Sequence, residues 1–202
     1  MTSATDKKVT TDNYNFAAKK YSDDFSKLGV NENIGKVFTY VTKPNPKVVE
    51  IGCGDGKDAI EITKRTNDYI GIDISEEFIK IAKSKLPSTK LILADFEEFE
   101  FESGIDVFYA SAVILHSDQE SVSRLLDKIT DLLNVNGVVF IASKYGEYER
   151  KEIVVQDMVK INFLYTPESI GAMLKPNMEI VWKENYEIVN QQWFKMIIQK
   201  KF

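Results

Sequence analysis

The sequence predicts an α/β fold in which a doubly wound, mostly parallel sheet of seven strands has helices on both faces and a C-terminal antiparallel hairpin. Short apolar strands alternate with amphipathic helices between residues 47 and 143, which is typical of parallel sheets covered on both faces. Two strand-like segments close the chain with no helix between them, so we expect an antiparallel pair at the sheet edge. A length of 202 residues suits one such domain.

The N-terminal part of the chain precedes the predicted sheet. Residues 1–12 are rich in Thr, Ser, Asp and Lys, and we expect them to form a disordered tail. A single domain then covers residues 13–202. Its first part, 13–43, is predicted to hold two N-terminal lid helices, at 14–28 and 32–42, before the prolines that follow.

Start and stop signals place the remaining elements. Ser75 can cap a helix that Pro87 ends, and Ser117 and Glu120 have the spacing of a capping box before another helix. The short, acidic stretch 95–104 is not expected to form a full helix. Further helices are predicted from Lys57 and from Thr166-Pro167, and the predicted strands cover residues 47–51, 69–74, 90–94, 105–110, 138–143, 178–184 and 193–199.

Composition argues against several kinds of protein. The net charge of −5 argues against a nucleic-acid-binding protein, because such proteins usually carry an excess of positive charge that binds phosphates. The chain has neither an apolar run long enough to span a membrane nor a signal-peptide core at its start, so we expect a cytoplasmic protein without a membrane segment. One cysteine and one histidine exclude an internal disulfide and argue against a zinc site; we therefore predict no metal.

A glycine-rich loop follows the first predicted strand and opens the first helix of the sheet region. It reads Glu50-Ile51-Gly52-Cys53-Gly54-Asp55-Gly56. Glycines at such a turn let the backbone approach a ligand closely, and the free N–H groups of the helix point at it. A dinucleotide fingerprint would require glycine at position 57, where Lys57 stands, so the spacing disfavours a nicotinamide site.

Acidic residues stand at the ends of the next two strands. Asp73 ends the second predicted strand, where a carboxylate can accept both hydroxyls of a ribose. Asp95 ends the third and is followed by Phe96, so it could accept an amino hydrogen of adenine beside an aromatic ring. Each acid alone is better explained as a helix cap or a solvated loop residue than as a ligand-binding group. The glycine-rich loop, Asp73 and Asp95 stand at the ends of three successive strands, and together they indicate a nucleoside-binding site.

Five segments carry a more specific pattern: Val48-Val49-Glu50-Ile51-Gly52-Cys53-Gly54-Asp55-Gly56, Gly71-Ile72-Asp73-Ile74-Ser75, Ala94-Asp95-Phe96, Ile105-Asp106-Val107-Phe108-Tyr109-Ala110-Ser111 and Leu133-Asn134-Val135-Asn136-Gly137-Val138. In combination they resemble the motifs of the class I S-adenosyl-L-methionine (SAM)-dependent methyltransferases, in their small-molecule branch. The resemblance runs from about residue 14 to residue 200. It implies a Rossmann-like methyltransferase fold, SAM as the cofactor and S-adenosyl-L-homocysteine as its product.

The resemblance also implies residue roles at the methionine end of SAM. Gly52, Cys53 and Gly54 would line the methionine moiety. Glu50 would lie near its amino group, directly or through water. Ser111, just past the fourth strand, would face the methionyl group.

At the nucleoside end, Asp73 would bind the ribose and Ile74 would pack on adenine. Asp95 and Phe96 would hold the adenine edge. Tyr21, in a helix that often covers the pocket of this family, is a candidate to contact SAM from above and a candidate catalytic residue.

The acceptor class follows from residues that are missing. Methylation of nucleobase amino groups uses an Asn/Asp-Pro-Pro-aromatic run after the fourth strand, where this chain has Ala110-Ser111-Ala112-Val113. Methylation of a cytosine carbon needs a cysteine nucleophile, and the single cysteine lies in the glycine loop. Protein arginine methylation needs a glutamate pair, and only Glu120 is near. A small-molecule acceptor remains.

The acceptor site is expected near His116 and the segment 144–165. His116 is the candidate general base, with a structural histidine as the alternative, and Asp118 could orient it or cap a helix. The segment is polar, aromatic and basic without an obvious strand; it either shapes the acceptor pocket or forms a solvated, partly helical loop. Its candidate acceptor contacts are Lys144, Tyr145, Tyr148, Arg150 and Lys151.

Two alternative functions stay open at this stage. One is a methyltransferase-like regulatory protein that binds SAM without catalysis. The other, which Lys57 disfavours, is a nicotinamide-dependent oxidoreductase. The sequence is equally compatible with a monomer and a homodimer.

Overall fold

A computed structural model describes residues 2–26, 31–155 and 158–202 of the chain. The strands are β1 (Val48–Ile51), β2 (Tyr69–Asp73), β3 (Lys90–Leu93), β4 (Ile105–Ser111), β5 (Leu133–Lys144), β6 (Arg150–Val155), β7 (Met158–Phe163), β8 (Met178–Ile188) and β9 (Gln191–Lys200). Seven of them form one sheet in the order β3-β2-β1-β4-β5-β9-β8. β1 to β5 run parallel, and β9 and β8 join antiparallel at one edge. The predicted fold class is confirmed.

The order of the strands reverses between β1 and β4. β2 and β3 lie to one side of β1, whereas β4 and β5 lie to the other. The connections that leave the carboxyl ends of β1 and β4 therefore turn away from each other and open a crevice between them. Ligand sites in open α/β sheets lie at such a crevice, so this edge positions the site.

Helices cover both faces of the sheet. They are α1 (Ala4–Phe25), α2 (Glu32–Phe38), α3 (Lys57–Ile62), α4 (Glu76–Lys85), α5 (Gln119–Leu132) and α6 (Pro167–Gly171). Because successive strand residues point to opposite faces, Val49 and Phe108 share one buried core with Leu126 of α5. Val48 packs in the other core with Ile62 of α3. Among the described residues, no helix has the length and apolarity needed to cross a membrane.

The predicted disordered tail over residues 1–12 is wrong for most of its length, because α1 already begins at Ala4. Ser3 caps the helix by accepting from the backbone N–H of Asp6. The Asp6 carboxylate accepts from Nε and Nη2 of Arg150, and the Thr2 N–H donates to Ser121. These tertiary partners lie more than a hundred residues away, so local composition carries no sign of them. Positions 27–30, where the predicted first helix ended, lie outside the described residues.

The expectation that 144–165 holds no strand is also wrong. β6 and β7 form an antiparallel pair apart from the main sheet. The described side chains of β6 are exposed, including Ile153 and Val154. A strand with solvent along it lacks the alternation that identifies half-buried strands, which explains why the pattern was missed.

Two smaller expectations are decided by hydrogen bonds. α5 is capped by Asp118, which accepts from the Ser121 N–H, so the predicted Ser117 cap is wrong. Asp118 therefore has the capping role that the sequence left open. The Ser75 cap of α4 is confirmed by its bond to the Phe78 N–H. Between β3 and β4 the structure shows turns and no helix, as expected from the short acidic stretch.

Candidate functional site

A first cavity lies at the carboxyl ends of β1, β2 and β4 and is covered by α1. Its walls combine the glycine loop, the ends of β2 and β3, and the turn after β4. The residues that line it are Lys7, Thr10, Thr11, Tyr14, Gly52, Ile72, Asp73, Ile74, Phe78, Ala94, Asp95, Phe96, Glu97, Ser111, Ala112, Val113, His116 and Ser117. It is the crevice that the strand order predicts.

The glycine loop approaches the turn after β4 too closely for any side chain. Gly52 has φ 69°, in the left-handed region. A Cβ at this position would lie 2.4 Å from Cγ2 of Val113. Gly54 also has a left-handed φ, of 51°, but a Cβ there would meet nothing within 4 Å. Glycine is therefore required at Gly52 by both conformation and space.

Asp73 ties the glycine loop to the end of β2. Its carboxylate accepts from the Gly54 N–H and from the Ser75 N–H, each at 2.8 Å. Burial raises the pKa of Asp73, while these backbone donors act in the opposite direction. The carboxylate also lines the first cavity, where its remaining lone pairs can accept hydroxyl groups of a ligand.

A second acidic group lies at the end of β3. Lys7 of α1 donates to Asp95 Oδ2 at 2.8 Å and lies 3.1 Å from Glu97 Oε2. The other oxygen of Glu97, Oε1, is buried and has no hydrogen-bond partner among the described atoms. A buried acceptor without a donor is costly. Since Glu97 lines the first cavity, an amino group in that cavity would satisfy it.

The glycine loop is backed by further buried carboxyl groups. Glu50 accepts from the Tyr69 hydroxyl and is 3% exposed. Burial raises the pKa of Glu50 well above its ordinary value, and the nearby Asp58, Asp73 and Asp55 raise it further. Positive charge on a ligand would stabilise the ionised form of these groups. SAM carries a sulfonium and an ammonium group, so the residues present fit it.

His116 joins α1 to the turn after β4. Its Nε2 lies 2.8 Å from the Tyr14 hydroxyl, and its Nδ1 lies 3.4 Å from the Ile161 carbonyl oxygen. Burial lowers the pKa of His116 to about 4, and the positive Lys144 and Lys160 contribute in the same direction. The ring is therefore neutral at pH 7. With Nδ1–H facing the carbonyl, Nε2 accepts from the Tyr14 hydroxyl.

A second cavity adjoins the first on the far side of this pair. Thr10, Tyr14, Ala112 and His116 line both cavities and form their shared wall. The second cavity reaches the ends of β5 and β7. The residues that line it are Thr10, Asn13, Tyr14, Tyr21, Ala112, Leu115, His116, Lys144, Lys160, Ile161, Asn162 and Trp193.

The sequence-predicted cofactor positions divide into three groups. Those on the wall of the first cavity are Gly52, Asp73, Ile74, Asp95, Phe96 and Ser111. Glu50, Cys53 and Gly54 belong to the glycine-rich segment but line neither cavity. Tyr21 lines only the second cavity, with the Lys160 ammonium 5.0 Å from its ring centroid.

Of the proposed acceptor contacts, only Lys144 lines either of these two cavities. Arg150 pairs with Asp6, and Lys151 lies 3.3 Å from Glu149. Tyr148 stacks on Phe163 outside both cavities. Arg150 and Lys151 lie on β6, a strand that the sequence did not reveal, and line neither cavity.

Several site residues were missed by sequence reasoning. Two of them had a signal in the sequence: Glu97 is the second acid after β3, and Tyr14 is an aromatic residue of the predicted first helix. Lys160 and Asn162 had no usable signal, because their strand was not recognised. Among the described residues, no cluster of His, Cys, Asp and Glu could hold a metal ion.

Comparison with known proteins shows that the chain is similar to methyltransferases. Residues 48–137 match a family model described as a methyltransferase domain. A carboxy-S-adenosyl-L-methionine synthase of Campylobacter jejuni is 26% identical over 187 residues, covering 82% of this chain and 76% of that protein. A malonyl-[acyl-carrier protein] O-methyltransferase of Ilyobacter polytropus is 29% identical over 142 residues. This match covers 66% of the chain and only about half, 51%, of that relative.

The fold has a close counterpart among solved structures. The magnesium protoporphyrin IX methyltransferase of Synechocystis, solved with bound SAM, superposes with a TM-score of 0.72 over 97% of both chains at 14% identity. At this identity the likeness shows the fold alone. Together with the glycine loop, the acidic strand ends and the match of residues 48–137 to a methyltransferase domain, these findings support one assignment: the chain is similar to the class I SAM-dependent methyltransferases and is an enzyme with SAM as its cofactor.

Proposed function

We propose that the chain transfers the methyl group of SAM, bound in the first cavity, to a small molecule bound in the second. The observation that carries the proposal is the shared wall: Thr10, Tyr14, Ala112 and His116 border both cavities. Methyl transfer is an in-line displacement, and holding donor and acceptor in near-attack geometry can supply up to about 7–11 kcal/mol of the barrier. Adjoining cavities provide such positioning.

In this proposal the first cavity binds SAM through charge interactions and hydrogen bonds. Asp73 would accept the ribose hydroxyls, and the free Oε1 of Glu97 would accept the adenine amino group beside Asp95 and Phe96. Ile74 and Phe78 supply apolar contact with the base. The buried acids behind the glycine loop would stabilise the positive charges at the methionine end.

The chemical step needs little from the protein beyond position. SAM supplies an electrophilic methyl group: an acceptor lone pair forms the new bond to carbon, and the electrons of the breaking C–S bond stay on sulfur. Where the acceptor atom carries a proton, that proton must leave to a base or to water. Tyr14 and His116 lie where they can order the acceptor and exclude water from the shared wall.

The pH profile of turnover tests the His116 assignment. The imidazole is in its neutral, base-competent form above its pKa of about 4. Activity that depends on this form is therefore constant between about pH 6 and pH 8, the window of an ordinary histidine, and falls only as the pH drops toward about 4. The measurement is kcat/KM against pH for wild type and His116→Gln.

Two results would contradict this assignment. A wild-type inflection near the ordinary histidine pKa that His116→Gln removes would mean that the imidazole titrates normally. Unchanged turnover of His116→Gln at every pH would remove His116 from the reaction and leave it as a structural residue that contacts Tyr14.

A second candidate function is formation of a carboxylated SAM, as the printed name of the Campylobacter jejuni relative describes for that protein. Lys144 and Lys160 beside the cofactor cavity favour it, because they could hold a carboxyl donor. Methyl transfer is preferred because the matching family model is a methyltransferase domain. A nucleic-acid acceptor is not proposed, since the net charge is −5; the cytoplasmic location stays a prediction.

Incubation with methyl-labelled SAM and a metabolite library separates these functions. We expect labelled methyl in a small molecule and an equal amount of S-adenosyl-L-homocysteine. A SAM-derived product heavier by one carboxyl group, with no label in any acceptor, would support the second candidate. Release of label only into added DNA, RNA or protein would overturn the small-molecule proposal.

A further inference from the structure

The second cavity is positively charged within an acidic protein. Lys144 and Lys160 line it, and neither ammonium group pairs with a carboxylate in the described parts of the chain. The described residues on its wall include no Asp or Glu. The first cavity is lined by Asp73, Asp95 and Glu97. The two compartments therefore differ in sign as well as in position.

The lysines are placed at an electrostatic cost. Lys144 is half-buried at the end of β5, and burial together with the neighbouring Lys160 lowers its pKa. Lys160 lies across the cavity on β7, over the face of the Tyr21 ring. Like charges that face one another and lose water are unfavourable without a counter-charge. An anion between them would remove that cost.

An unsatisfied amide adds an independent observation. Asn162 lines the same cavity, and its residue is only 3% exposed. Its Nδ2 is buried without a hydrogen-bond partner among the described atoms. Buried amide donors are almost always paired, so this group is suited to donate to an oxygen of a bound molecule.

We propose that the methyl acceptor is a small organic acid whose carboxylate is bound by Lys144, Lys160 and Asn162. The inference rests on the proposed methyl transfer and specifies its substrate class. Tyr14, Tyr21 and Trp193 supply flat apolar surface to the same cavity, which suits an acid attached to a ring.

A carboxylate fits better than a phosphate. Phosphate sites commonly combine helix N-termini or the paired donors of arginine with lysine. The described residues of the second cavity include no arginine, and those from α-helices lie within α1, well past its first turn. Lys144, Lys160 and Asn162 therefore offer no such array, and a few separate donors suit the two oxygens of a carboxylate.

Binding of three matched probes tests the proposal: 4-hydroxybenzoate, its neutral amide and 4-hydroxyphenyl phosphate. Calorimetry is run with and without saturating S-adenosyl-L-homocysteine on wild type, Lys144→Met, Lys160→Met and the control Lys83→Met. Lys83 is exposed in the last turn of α4, lines neither cavity and changes the charge equally. We expect the acid to bind, the amide to bind at least tenfold more weakly, and each cavity variant to weaken acid binding at least tenfold. The control should match wild type, and all variants should retain their melting temperature and their affinity for S-adenosyl-L-homocysteine.

Other outcomes have distinct meanings. Equal binding of acid and amide, or acid binding that the lysine variants do not weaken, would overturn the carboxylate site. Tighter lysine-dependent binding of the phosphate would overturn the choice of carboxylate. Failure of wild type to bind S-adenosyl-L-homocysteine, with lysine-dependent acid binding retained, would contradict the proposed methyl transfer and leave the anion site supported.

Discussion

Replacement of Asp73 by alanine is expected to weaken SAM binding by at least about 100-fold. Hydrogen bonds to a charged group contribute roughly 1.5–3 kcal/mol each, and each 1.4 kcal/mol is about tenfold in affinity. The variant loses both proposed bonds to the ribose. It also removes the acceptor that holds the Gly54 and Ser75 N–H groups, so the loop itself is less ordered. Calorimetric titration with SAM measures the change.

The chain contains a matched control for this experiment. Asp68 stands immediately before β2, at the opposite end of the strand, and is exposed. Asp68→Ala alters the net charge by the same amount and should bind SAM like wild type. Asp73→Asn keeps one oxygen acceptor and should lie between the two. Wild-type affinity in Asp73→Ala would refute the assignment of the first cavity as the ribose site.

Replacement of Gly52 by alanine is expected to lower the free energy of unfolding by about 2–5 kcal/mol. A left-handed φ costs a residue with a Cβ about 1–2 kcal/mol, and overpacking costs roughly 1–3 kcal/mol more. The added Cβ would lie 2.4 Å from Val113 Cγ2, so either the loop or the turn after β4 must shift. Since both border the first cavity, SAM affinity should fall with stability. Thermal and denaturant unfolding provide the measurement.

Two further variants separate conformation from crowding. The Cβ that Gly54→Ala adds would have no neighbouring atom within 4 Å. This variant should therefore lose only the conformational part of the free energy of unfolding, about 1–2 kcal/mol. Val113→Ala in the Gly52→Ala background removes the clashing methyl and should restore part of the lost stability, a coupling of about 1–3 kcal/mol. Equal destabilisation by Gly52→Ala and Gly54→Ala, with no coupling to Val113, would show that crowding is absent.

The parallel core was predictable because its signals are local. β1 is buried along its whole length and three of its four residues are apolar, and Ser75 caps α4 within four residues of sequence. The start of α1 was not predictable, since its partners Arg150 and Ser121 come from distant segments. β6 and β7 were missed because strands that lie apart from the main sheet need not show the alternation of a half-buried face.

The residues of the site also divide into those with local signals in the sequence and those placed by contacts between distant segments. Gly52, Asp73 and Asp95 stand at strand ends, where topology alone brings them together. Lys160 and Asn162 reach the second cavity only through β7, which packs against α1. The fold and the first cavity can thus be predicted from short motifs. The lining of the second cavity cannot, because it depends on contact between α1 and β7, which are more than a hundred residues apart in sequence.

The placement of α1 has a consequence for the traffic of ligands. This one helix lines the first cavity through Lys7 and Thr11 and the second cavity through Asn13 and Tyr21. A displacement of α1 would uncover both compartments together. In the proposed reaction, S-adenosyl-L-homocysteine and the methylated product would then leave through the same opening. The contacts that hold α1 in place include the ion pair of Lys7 with Asp95.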